Sequence, residues 1–284
     1  MTASKFVAVV TGGNKGIGKA IVSELARQYR GNTPLSIYLT ARSDDLGRQA
    51  VAETQGQLHG SNIQVQFLQL DISSPESINT AAKKIHETAG HVDVLINNAA
   101  IAFKGDAFDD NVARQTVDTN YTGTKNVTLA FLPLVPKNGR IINVSSSAGK
   151  PRILSEDLQA KFARDDVRLE DLDDLMEQFI KDVSEGTYSK KGWPKQAYGV
   201  SKVGVTAFTR ALARLPDVKD RNVLVAACCP GWVRTDMAGP NAPKSPEEGA
   251  QTPVWLALAD VDDILHHGEV QNGGFYKDRQ KAEW

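Results

Sequence analysis

With 284 residues, 41% of them hydrophobic, the chain carries enough apolar material for a substantial core. Its formal net charge of −1 lacks the basic field that a nucleic-acid or anionic-membrane partner favours, so neither partner is expected. The two cysteines, Cys228 and Cys229, are adjacent, a spacing that builds neither a zinc site nor a disulfide framework and points to a reducing, cytoplasmic setting.

The first apolar run, Phe6 to Val10, is too short for a signal h-region and reads as a buried strand. No run approaches the ~18 apolar residues of a membrane span. Further short runs, several rich in Val and Ile, follow at Ser36–Thr40, Gln64–Leu70, Val92–Ile96, Arg140–Val144 and Val223–Cys228. Helical patterns alternate with them at about 17–30, 45–58, 75–89, 109–132, 196–214 and 246–259. Pro75 suits a first helical turn, with Ser73 or Ser74 as its cap. The alternation predicts right-handed βαβ units: an α/β fold with a parallel sheet covered on both faces.

Residues 150–195 break that rhythm. They carry Leu169, Leu172, Met176, Phe179 and Val183 at helical spacing with an acidic opposite face, the pattern of an amphipathic helix packed on the body of the protein. The segment reads as a helical hairpin inserted within one domain spanning 1–284.

Directly after the first strand comes Thr11-Gly12-Gly13-Asn14-Lys15-Gly16-Ile17-Gly18. Glycines after a strand let the backbone approach a pyrophosphate, and the following helix offers free N–H groups and its positive dipole end. The second strand ends at Arg42, where an acidic residue would bind a ribose 2′-OH and an Arg accommodates a 2′-phosphate. Lys15 adds a second cation, so NADPH is expected over NADH. Asp71-Ile72 at the third strand's end is expected to meet the adenine, and Asn97-Asn98-Ala99 at the fourth to pass beside the ribose.

Downstream stand Ser145-Ser146 and Tyr198-Gly199-Val200-Ser201-Lys202. A Tyr and a Lys four apart share a helix face, and a protonated amine held there is expected to lower the phenol's pKa from its usual value of about 10. Such a pair beside a dinucleotide site reads as hydride chemistry on a carbonyl or alcohol.

Taken in order over nearly the full length, these motifs resemble the short-chain dehydrogenase/reductase superfamily. Within it the chain is most similar to the monomeric NADPH-dependent carbonyl reductases. The strings TGGNKGIG (11–18), AIAFK (100–104), AYGV (197–200), CCPGWVRTDMAG (228–239) and KSPEEG (244–249) carry that likeness, with Gly192-Trp193-Pro194 and the long insertion. The resemblance implies a single-domain doubly wound Rossmann fold with a mostly seven-stranded parallel sheet. It implies Tyr198 as proton donor, Lys202 as its partner, Ser146 as holder of the carbonyl oxygen, and Asn120 sustaining a water relay to Lys202. Asn14 and Ile17 join Gly12, Lys15, Gly16 and Gly18 at the cofactor. Val233 and Thr235 lie near the nicotinamide carboxamide, Trp232 walls the substrate pocket, and the protein is a monomer. Ala100 departs from the family's usual Gly after Asn-Asn-Ala.

The five histidines, His59, His86, His91, His266 and His267, form no metal spacing, and no G-x-S-x-G signals a hydrolase. The rival reading is an NADPH-binding redox sensor or scaffold without turnover. The cysteines are either close enough to the site to react with thiol reagents or simply buried at a strand end. Pocket-lining residues are expected around 147–155 and 232–241.

Overall fold

The computed structural model describes residues 5–58, 62–265 and 272–284, which leaves His59, His266 and His267 outside the described residues. Among these residues the chain forms one eight-stranded sheet in the order β3-β2-β1-β4-β5-β6-β7-β8. The strands are β1 (Phe6–Val10), β2 (Leu35–Ala41), β3 (Ile63–Gln69), β4 (Val94–Asn97), β5 (Arg140–Val144), β6 (Leu224–Cys229), β7 (Phe275–Lys277) and β8 (Gln280–Ala282). Strands β1 to β7 run parallel, and β8 pairs antiparallel with β7. The sheet therefore has eight strands where a mostly parallel sheet of seven was expected, the addition being the antiparallel β8.

That last hairpin left no periodic signature because each strand has three residues, too few to show an alternation. Its turn is made by Asp278 and Arg279, both at positive φ (51° and 58°), the twist that a tight hairpin requires.

The helices are α1 (Gly16–Gln28), α2 (Asp44–Gln55), α3 (Pro75–Thr88), α4 (Asp110–Val117), α5 (Thr124–Phe131), α6 (Glu156–Ala163), α7 (Leu169–Ser184), α8 (Ala197–Leu212), α9 (Pro216–Asp220), α10 (Pro246–Leu258) and α11 (Val261–Leu265). Ser74 caps α3 ahead of Pro75, accepting from the Ser77 amide at 3.2 Å. The single helix expected over 109–132 is α4 and α5 joined by a π-helical turn, Asp118–Gly123.

Side-chain alternation along the strands divides the core in two. On β1, Val7 and Val9 face one layer with α7 and α8, while Ala8 and Val10 face the other with α1 and α10.

The insertion is two helices, α6 and α7. Leu172, Met176, Phe179 and Val183 are buried and Leu169 packs at the edge, as the periodicity predicts. Helix α7 lies against α4 and α8. The approach is close: a Cβ on Gly204 of α8 would stand 2.8 Å from the Met176 sulfur and 2.9 Å from the Tyr121 ring. Asp182 fastens the far end, its buried carboxylate accepting from Trp193 Nε1 and Lys191 Nζ at 2.8 and 2.7 Å. Burial pushes that carboxyl's pKa up, but hydrogen bonds from Lys191, Trp193 and Gln178 outweigh it and hold the group below the usual aspartate range.

Candidate active site

The carboxyl ends of β1, β4, β5 and β6 open onto one edge of the sheet, and the motifs collect there. Thr11 anchors the glycine turn, its Oγ1 accepting from the Asn98 and Ala99 amides at 2.9 Å each. Asn98 returns the tie through Nδ2 to the carbonyls of Thr11 and Gly12, at 3.0 and 3.3 Å. Its amide thus holds the turn's shape, where the sequence placed the residue beside the ribose.

Gly12 and Gly16 have φ of 64° and 53°. A Cβ on Gly12 would lie 3.0 Å from the Ala99 Cα, and one on Gly18 would lie 2.1 Å from the Gly12 carbonyl oxygen. Side chains have no room here, so the backbone itself forms the surface. No side chain caps α1, and its first N–H groups have no such competitor. A glycine cradle ending in an uncapped helix fits a dinucleotide pyrophosphate.

Arg42 is exposed just beyond β2, and the turn is tied to that strand by Gly13 N–H donating to Thr40 O at 2.8 Å. Lys15 forms an exposed ion pair with Asp236 at 2.8 Å, reaching across to the loop after β6. Asp71 closes the turn into α3, its Oδ1 accepting from Ser73 N and Oγ at 2.9 and 2.7 Å. Ile72 is buried, its carbonyl facing Gly123 of the π turn.

On α8, Tyr198 and Lys202 lie one turn apart. The Lys202 amine donates to the Val144 carbonyl at 2.8 Å and sits 5.7 Å from the Tyr198 ring centre. The two serines separate cleanly. Ser145 is buried, its Oγ bonded to Lys202 O at 3.1 Å and Thr206 Oγ1 at 2.7 Å. Ser146 is the serine that acts on the Tyr198 phenol, drawing its pKa down, and its Oγ accepts from the Ala148 amide at 3.1 Å. The π turn presents Asn120, whose Oδ1 accepts from Ile101 N at 2.8 Å while Nδ2 donates to Ile101 O at 2.9 Å and Ser201 Oγ at 3.1 Å. Asn120 reaches Lys202 only by way of its neighbour Ser201.

The electrostatics correct one expectation. Burial pushes the Tyr198 phenol up to about 12, against a smaller lowering from Ser146. Burial also brings Lys202 down to about 8. Both groups are desolvated, and burial pushes each toward its neutral form.

The β6 loop differs from expectation in detail. Gly231, at φ 89°, turns the chain so that Trp232 is 58% exposed, while Val233 is buried against Gly249. Thr235 lies next to the glycine turn, its Cγ2 3.2 Å from where a Gly16 Cβ would sit. Both cysteines are buried. Burial pushes the Cys228 thiol well up, and Cys229 Sγ accepts from the Ser147 and Gly231 amides at 3.3 and 3.4 Å.

A cavity of about 460 Å³ opens beside Tyr198, lined among others by Phe103, Phe108, Thr116, Ala148 and Lys195. Of the pocket segments expected from sequence, only Ala148 contributes, and Trp232 does not line it. Phe103 and Phe108 follow the Asn-Asn-Ala motif in the chain, but nothing in their local pattern announces that they line the cavity beside Tyr198.

A doubly wound sheet with a glycine cradle on its carboxyl edge defines the class of dinucleotide-binding Rossmann proteins. The chain belongs to the short chain dehydrogenase family, whose profile matches residues 6–156 and 183–246 and passes over most of α6 and α7. It is 43% identical over 293 residues to carbonyl reductase [NADPH] 1 of Mus musculus and 43% over 290 residues to that of Homo sapiens, covering 100% of each chain in both cases. Among solved structures, salutaridine reductase from Papaver somniferum superposes with a TM-score of 0.81 at 28% identity, over 95% of this chain and 99% of that one.

Lys202 yields a pH test. Between about 8 in the native state and the ordinary 10.5, the unfolded chain binds the proton and the folded one does not, so stability rises with pH. Lys202→Met should remove that rise. From pH 7 to 10.5 wild type should gain about 3 kcal/mol on the variant in urea unfolding, and parallel curves would contradict the burial argument.

Proposed function

We propose that this protein is an NADPH-dependent carbonyl reductase that converts ketones, aldehydes or quinones to alcohols or hydroquinones, with Tyr198 as proton donor. The observation that carries this reading is the Tyr198 side chain at the wall of the 460 Å³ cavity, with the Lys202 amine 5.7 Å from its ring and Ser146 acting on its phenol. The presence of all three groups at one cavity argues against a nucleotide-binding sensor or scaffold without turnover.

Gly12, Asn14, Lys15, Gly16, Ile17 and Gly18, with the start of α1, hold the pyrophosphate. Arg42 and Lys15 meet the 2′-phosphate, Asp71 and Ile72 border the adenine, and Asn98, Val233 and Thr235 support the ribose and nicotinamide side. When bound, the reduced nicotinamide supplies a hydride to the carbonyl carbon.

Ser146 and Tyr198 donate hydrogen bonds to the carbonyl oxygen and so stabilise the negative charge that develops there. A phenol raised to about 12 is fully protonated at neutral pH and stands ready as the acid. Once Tyr198 gives up its proton, the Lys202 ammonium stabilises the tyrosinate and can pass a proton back. Asn120 holds the Ile101 loop and Ser201 through its side-chain amide, and from that position sustains a water relay to Lys202.

Tyr198→Phe should fold and bind NADPH while losing turnover by roughly 10²–10⁴-fold, measured as NADPH oxidation against a panel of activated carbonyls. More than a tenth of wild-type activity would sink the assignment.

Arg42→Asp should raise KM for NADPH roughly 10- to 100-fold, the worth of one charge-assisted hydrogen bond, and leave KM for NADH nearly unchanged. Equal KM values for both cofactors in the wild type would count against a 2′-phosphate site.

The protein is further proposed to be a monomer. Leu172, Met176 and Phe179 of α7 cover apolar surface of α4 and α8, which removes the hydrophobic drive for a second subunit to bind there. Light scattering at micromolar concentration should give a mass near 30.8 kDa, and two or four times that value would overturn the idea.

A further inference from the structure

The β7–β8 hairpin returns the chain to the active-site edge and delivers Trp284 there. The ring packs beside Phe275 and Cys229 under the end of β6, and the Arg210 guanidinium of α8 lies over it at 5.1 Å. Its indole Nε1 donates to the Gly149 carbonyl at 2.8 Å.

Gly149 closes the single 3₁₀ turn, Ser147–Gly149, that follows Ser146. Its own amide donates to Ser146 O at 3.0 Å, within the same turn in which Ala148 N donates to Ser146 Oγ. On its other side the Gly149 backbone presses on α8: a Cβ there would lie 2.5 Å from the Lys202 carbonyl carbon and 2.6 Å from the Lys202 Cβ. The turn is thus wedged between Lys202 and the Trp284 indole. A turn this short cannot hold its own position, because it has too few internal hydrogen bonds to resist displacement.

We propose that Trp284 is a positioning residue for the carbonyl-reducing site, its indole N–H clamping the Gly149 carbonyl so that the 147–149 turn holds the Ser146 hydroxyl in place for the carbonyl oxygen. This rests on the reading of Ser146 as the group that holds the carbonyl oxygen. Catalytic hydroxyls need placement to within a fraction of an ångström, and supporting hydrogen bonds supply it.

Trp284→Phe keeps an aromatic ring under Arg210 and against the core but removes the donor. It should lower kcat about fivefold, the equivalent of one hydrogen bond, with NADPH affinity, followed by nucleotide fluorescence, and melting temperature unchanged. In a Ser146→Ala background the same substitution should have no further effect on kcat, because the group it positions is gone. Arg210→Gln, which frees the ring without touching the indole N–H, should give a smaller loss with the same dependence on Ser146.

Wild-type kcat in Trp284→Phe overturns the proposal, as does an equal fold-loss with and without Ser146, the signature of a role in folding alone. Wild-type activity in Ser146→Ala by itself instead overturns the reading of the site on which the proposal rests.

Discussion

The Lys202 amine is the constraint around which the site is arranged. It is 3% exposed, and a buried amine without an acceptor is strongly unfavourable. The acceptor is the Val144 carbonyl, the last of β5, and that bond fixes how far α8 slides along the sheet. Tyr198, one helical turn before, is then carried to the level of Ser146, two residues beyond Val144. Ser145, pointing inward, bonds the Lys202 carbonyl and Thr206 and prevents rotation of the helix against the strand. Gly149 must be glycine because that packing leaves no space for a Cβ against the Lys202 backbone. One buried charge thus sets the mutual placement of three elements.

The same burial sets the protonation of the catalytic pair. With its pKa raised, the Tyr198 phenol is protonated at neutral pH, the form a proton donor needs. Lys202, lowered to about 8, keeps its charge through most of the physiological range yet sits close to the point of exchanging a proton. Around this pair the insertion works as a brace. Asp173 of α7 accepts from Tyr121 Oη at 2.8 Å and Lys125 Nζ at 2.6 Å, clasping the π turn that carries Asn120. A π turn in the middle of a helix is costly and persists where neighbours over-determine it, and here α7 and α8 do so.

The cofactor side is built from backbone more than from side chains. Gly12, Gly16 and Gly18 are pressed against Ala99, Thr235 and one another, so the shape of the cradle depends on three chain segments far apart in sequence. The Lys15–Asp236 pair adds an exposed link between the cradle and the β6 loop. At that exposure it is worth little to stability, and its interest is in keeping a cation at the mouth of the groove.

Much of this was legible in the sequence because it depends on local chemistry. The strand-and-helix alternation, the glycine turn, the Ser74 cap, the heptad-like burial of Leu172, Met176, Phe179 and Val183, and the Tyr198–Lys202 spacing each follow from residues within a few positions of one another. The choice between Ser145 and Ser146 was not local: it waited on which hydroxyl α8 buries against its own backbone and which it leaves for the Tyr198 phenol. The sign of the Tyr198 shift, the turning of Trp232 to solvent by Gly231, the service of Asn98 to the turn, and the placing of Phe103 and Phe108 at the cavity beside Tyr198 were decided only by tertiary packing. So was the short β7–β8 hairpin, which gains its structure from pairing beside β6 and not from its own side chains. Periodicity and spacing report the path of the backbone, whereas desolvation and contact belong to pairs of residues that only the folded chain brings together.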